Sequence, residues 1–166
     1  MGFVRLMFAV LLVLALPARA AAPQSFADRL LAAHNDERTA HGIAPLAWSP
    51  VLAQQAAVWA ESLAARGLFR HAADRQGAGE NLWTGTAGYF SPEAMIEVFL
   101  VEGDKFHPGK FPDVSATGKW SDVGHYSQLI WPGTRALGCA LASGHGRDVL
   151  VCRYFPAGNV MGERIP

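Results

Sequence analysis

Apolar residues recur at helical spacing in three stretches, each opened by a serine cap. SFADRLLAAHNDERTAH, residues 25–41, begins with Ser25-x-x-Asp28 and ends at Gly42, so the pattern predicts a first helix. In the second stretch Ser49 caps, Pro50 takes the first turn, and Leu52, Ala56, Trp59 and Leu63 share one face until Gly67 stops the helix; that face is a predicted core stripe. The third repeats the device with Ser91 and Pro92 and runs to Gly103.

Between these helices the polar and glycine content rises. FRHAADRQGAGENLWTGTAGY, residues 69–89, reads as a surface loop, and FHPGKFPDVSATGKW, residues 106–120, as irregular chain. Two β-prone runs close the chain, Arg135 to Ala142 and Asp148 to Phe155, around the turn-like 143–147 segment. A hairpin centred on that turn pairs residues whose numbers sum to 291, which sets Cys139 opposite Cys152. Helices alternating with a few strands make a layered α+β domain with helices covering a small sheet.

Composition adds compartment and charge. Residues 1–22 carry Arg5, an apolar run from Leu6 to Leu16 and small residues around Arg19, the order of a secretory signal peptide cleaved after Ala20 or Ala22. The run is shorter than the roughly 20 residues needed to span a bilayer, so no membrane span is expected after cleavage. Residues 23–166 then form one domain, in which twelve basic residues stand against fourteen acidic ones. A net charge of −2 offers no basic field for nucleic acid. The only two cysteines fall in the exported part and are expected to form a disulfide.

Four polar residues are candidates for chemistry. His71 and Glu80 lie in the polar loop region, each readable as a solvated group or as a site residue. Glu102 follows Met95 and Phe99 by seven and four residues. It is either a carboxylate on a core-facing stripe, which then needs a partner, or an exposed last-turn residue. His125, flanked by Tyr126 and Trp131 in SDVGHYSQLIW, is either a cleft residue or a satisfied structural histidine. No HExxH, GxSxG, P-loop or CxxC pattern occurs, so zinc protease, serine hydrolase, nucleotide and thiol-redox readings have no motif behind them.

Several patterns coincide: HNDER (34–38), APLAWSPVLAQQA (44–56), GENLW (79–83), GHYSQLIW (124–131) and VCRYFPAGN (151–159). In this order they resemble the CAP superfamily, the SCP domain of cysteine-rich secretory proteins, venom antigens and plant pathogenesis-related proteins. The resemblance implies a three-layer α-β-α sandwich and a cleft tetrad of two histidines and two glutamates. Matched motif by motif, the tetrad is His71, Glu80, Glu102 and His125, although Phe99 stands where many members have tryptophan and His71-Ala72 replaces the usual His-Ser. It also implies that Asn35, Arg38, Tyr154 and Asn159 are structural. With a single cysteine pair and no appended cysteine-rich module a single-domain member is expected, to which the functions of such modules do not transfer; a monomer is expected, and the form of the leader points to a bacterial one.

What the resemblance implies for function is an exported, secreted or periplasmic, binding protein. His71 and His125 would hold Zn2+ or another divalent cation weakly, two protein ligands being fewer than the three of an ordinary catalytic zinc site. The ligand would be a small molecule, lipid or peptide. Two alternatives stand beside it. One is a metal-assisted hydrolase, peptidase-like, in which Glu80 or Glu102 acts on a bound water. The other is a structural envelope protein with a vestigial cleft.

Overall fold

A computed structural model describes residues 24–166; the expected signal peptide at 1–22 lies outside the described residues. All three predicted helices start at their serines. Helix α1 (Phe26–Ala40) has a complete capping box between Ser25 and Asp28. Helix α2 (Pro50–Arg66) is capped by Ser49 and stopped by Gly67 in the left-handed region, φ 61°. Helix α3 (Pro92–Leu100) is capped by Ser91 but ends three residues before Gly103; the chain tightens there into a 3-10 turn, Val101–Lys105. Among the described residues, no helix is long and apolar enough to cross a membrane.

Four strands form the central sheet in the order β1-β5-β6-β2: β1 (Ala47–Trp48), β2 (Gly79–Thr86), β5 (Ala136–Gly144) and β6 (Arg147–Phe155). The β5–β6 hairpin has the expected register, with Cys139 opposite Cys152 and the two joined by a disulfide. Its turn is shorter than the five residues the sequence indicates. His145 (φ 52°) and Gly146 (φ 74°) alone make it, a two-residue connection with both residues left-handed, which suits the twist of the flanking strands.

The expected loop over 69–89 is corrected by the structure. Residues 79–86 are strand β2, paired along its whole length with β6 and buried at nearly every position. Residues 106–120 are likewise not irregular throughout: β3 (Phe106–Lys110) and β4 (Asp113–Ser115) join β7 (Arg164–Ile165) in a second, three-stranded sheet, order β4-β3-β7. The short helix α4 (Gly124–Leu129) follows.

The architecture is an α+β sandwich. Helix α2 covers one face of the central sheet, where Ala56, Ala60, Leu63 and Ala64 meet Leu82, Val149 and Val151. The other face carries the larger core, in which Leu30, Met95, Ile96, Phe99 and Leu129 from α1, α3 and α4 pack on Leu137, Leu150 and Tyr154. Trp59, expected in the α2 core stripe, is only partly buried at its edge. Glycine lets α2 approach closely: a Cβ on Gly138 would lie 2.2 Å from the Ala53 nitrogen, and one on Gly144 2.3 Å from the Ala64 oxygen.

Candidate functional site

Each of the four candidate residues is set by a different element. Glu80 is the second residue of β2 and faces Arg153 directly across the ladder, on the α2 side of the sheet. His71 comes from the segment between α2 and β2, Glu102 from the 3-10 turn after α3, and His125 from the first turn of α4. The fold brings them together as two histidine–glutamate pairs.

In the first pair, Glu80 has a side chain with no solvent exposure. Its Oε1 accepts from His71 Nδ1 at 2.7 Å and from the Ala72 backbone N–H at 3.0 Å. Its Oε2 lies 3.1 Å from a terminal nitrogen of Arg153, whose side chain is 5% exposed. A buried carboxylate of this kind is tolerable because a cation and two donors offset its desolvation. Burial lowers the Arg153 guanidinium from its ordinary value, and the Glu80 charge opposes that shift.

In the second pair, Glu102 resolves the two readings of its stripe by partnership. Its Oε2 accepts the backbone N–H groups of His125 (2.9 Å) and Tyr126 (3.1 Å), and Oε1 accepts from His125 Nδ1 at 2.6 Å. The carboxylate thus satisfies amides in the first turn of α4 that no helix can satisfy internally. The His125 ring is also stacked on Phe99, centroids 4.8 Å apart and planes 17° off parallel.

Both imidazoles therefore turn Nδ1–H to a carboxylate, the arrangement that fixes the tautomer and leaves Nε2 as the lone-pair nitrogen. Among the described residues neither Nε2 has a hydrogen-bonding partner. His71, Glu80 and His125 line one cavity of about 410 Å3, with Asn81, Trp120 and Gln128 among its other walls. Glu102 stands behind His125. Among the described residues, no three or more His, Cys, Asp or Glu side chains are grouped to hold a metal ion.

The structural residues are where the motifs set them. Asn35 exchanges two hydrogen bonds with the backbone of Leu46. Arg38 is fully buried and donates only to the carbonyls of Ala44, Leu129, Trp131 and Thr134. Burial holds its guanidinium down at about 10, with the nearby Arg135 charge adding to the effect. Asn159, left-handed at φ 54°, accepts from Ser127 Oγ and donates to the Gly124 carbonyl.

Three residues of the site were not singled out from the sequence. Arg153 follows from the hairpin only once β2 is known to pair with it. Gln128 accepts from the Gly158 N–H at 2.9 Å and lies so near β2 that a Cβ on Gly79 would come within 1.9 Å of its Oε1. Asn81 donates to the His125 carbonyl and to Tyr154 Oη, and that phenol donates on to His34 Nε2. His34 completes the chain by donating to the Leu30 carbonyl. A buried polar line thus runs from α1 to the cleft.

The profile of the cysteine-rich secretory protein (CAP) family matches residues 31–154. Pathogenesis-related leaf protein 4 of Solanum lycopersicum is 35% identical over 97% of this chain and 96% of its own length. Secreted protein RBT4 of Candida albicans is 32% identical over 82% of this chain, which spans only 36% of that relative. Among solved structures, the crystal structure of NaASP2 with Zn2+ superposes with a TM-score of 0.71 at 24% identity, covering 85% of each chain; this likeness concerns the fold.

Proposed function

The chain belongs to the cysteine-rich secretory protein (CAP) family, and from that premise we propose that it is an exported binding protein whose cleft takes a divalent cation on His71 and His125 beside a small or lipid-like ligand. The observation that carries the reading is the pair of imidazoles, each tied through Nδ1 to its own glutamate and each keeping Nε2 for the shared cavity. That donor set suits Zn2+ or a similar ion. Two nitrogens make a weak site, with its remaining positions open to water or to an oxygen of the ligand. A bound cation would supply a positive anchor there. Asn81 and Gln128 offer amide groups along the same wall, and Trp120, 43% exposed, offers an aromatic surface. Export is supported by the pattern of residues 1–22 and by a relative named as a secreted protein.

A hydrolytic role asks one of the glutamates to take a proton from water. Glu80 is enclosed by His71, Ala72 and Arg153, and Glu102 already accepts three hydrogen bonds, so both carboxylates are better placed to orient imidazoles than to act as a base.

The test is zinc affinity by calorimetry and melting temperature with and without zinc, wild type beside the His71→Ala/His125→Ala variant. Binding and thermal stabilisation in the wild type, both absent from the variant, are the expected result, since a ligand of the native state stabilises it. Equal behaviour of the two proteins would overturn the assignment.

A further inference from the structure

Helix α2 and the segment following it bound a second cavity, about 640 Å3, larger than the cleft and within the range of small-molecule sites. Four arginines line it, Arg66, Arg70, Arg75 and Arg153, of which Arg153 is paired with Glu80, and Asp74 is the one carboxylate in the lining. This concentration of positive charge occurs in a stretch, residues 24–166, that carries twelve basic and fourteen acidic residues.

Several of these groups are held in advance. Arg66 donates through Nε to the Ser62 carbonyl (3.0 Å) and through a terminal nitrogen to Ser62 Oγ (2.7 Å), and its guanidinium lies 5.8 Å from the centroid of the Trp59 ring. Trp59 Nε1 donates to the Arg70 carbonyl at 3.2 Å, which pins the adjoining segment to the helix. Arg153 is held as well: its side chain is 5% exposed and a terminal nitrogen lies 3.1 Å from Glu80 Oε2, while its Nε, fully buried, donates to no group among the described residues. A buried donor without an acceptor is costly and uncommon, and Arg153 is among the residues that line this cavity.

We propose that this cavity is a second binding site, for a small organic anion in which a phosphate monoester or carboxylate adjoins an aromatic or aliphatic body. The planar forks of arginine match both anionic groups in a bidentate way that lysine does not. The body of the ligand rests on Trp59, whose indole offers a large apolar face at the cavity wall. The cavity adjoins the cleft, with which it shares His71 and Arg75 in its lining, and Arg66, Arg70 and Trp59 belong to this cavity alone.

The experiment follows the Trp59 indole N–H resonance, assigned with Trp59→Phe, while the protein is titrated with phenyl phosphate, benzoate or inorganic phosphate. Saturable shifts with phenyl phosphate or benzoate are expected, the stronger of the two naming the anionic group, and weakening as NaCl is raised. Arg66→Ala/Arg70→Ala, changes at exposed side chains that line this cavity and not the cleft, should weaken binding at least about tenfold, while Arg164→Ala in β7 leaves it unchanged. No saturable shift with either organic probe, or equal affinity in the double variant, would overturn the proposal. Inorganic phosphate binding as tightly as phenyl phosphate would overturn the organic-anion assignment.

Discussion

Glu102 and His34 show how much a single side chain decides in this molecule. Glu102→Gln replaces an acceptor of three hydrogen bonds with a group that has only one acceptor oxygen, and its amide would face the donor Nδ1–H of His125. The variant should lose about 1–3 kcal/mol of stability in urea unfolding and free the His125 ring, seen as altered ring resonances. His34 carries the pH dependence. Burial, its largest influence, pushes the imidazole down to about 4 from an ordinary 6.5. The folded state thus binds this proton less readily than the unfolded one, so stability is fully present above about 6.5 and declines as pH falls toward 4. The effect is on the order of 3 kcal/mol. Urea midpoints measured between pH 7 and 4 should fall, and His34→Gln should flatten that slope while lowering stability at pH 7.

At the scale of elements, the contact between α2 and β5 depends on the lack of a side chain. Gly138→Ala would drive a methyl into the backbone of Ala53, and thermal unfolding should show a loss of at least about 2 kcal/mol. Helices α1, α2 and α3 were legible from the sequence because their signals are local: Ser25, Ser49 and Ser91 each accept an N–H three residues on, and Gly67 ends α2. The hairpin was legible because its register is fixed by a short turn. Strand β2 was not, since GENLWTGT reads as loop by composition and is a strand only through its eight pairings with β6. Its glycines, a loop signal in the sequence, accommodate Gln128 at Gly79 and the rings of Trp83 and Phe90 at Gly85. Likewise no periodicity within α3 could show that Glu102 is satisfied by amides of α4. The tetrad itself was legible only through the resemblance of separate motifs, because four residues spread from 71 to 125 have no common spacing.

For the whole molecule, the central sheet separates two unequal cores and the buried polar line crosses the larger one. His34 in α1 and Tyr154 in β6 are 120 residues apart in sequence and joined by a 2.8 Å hydrogen bond, beside rings 5.7 Å apart. The order in which a ribosome makes the chain therefore matters. All four tetrad residues emerge before β6, yet β6 supplies the inner neighbour of both β2 and β5. Nascent chain must wait for its last long strand, and such long-range closure slows folding. A truncated chain ending at Gly146 should give no near-UV circular dichroism and no cooperative melt, although it contains every residue of the tetrad. Carrying the four tetrad residues and possessing the site are separated by the synthesis of β6, Arg147–Phe155, and of the cleft-lining residues 157–159 that follow it.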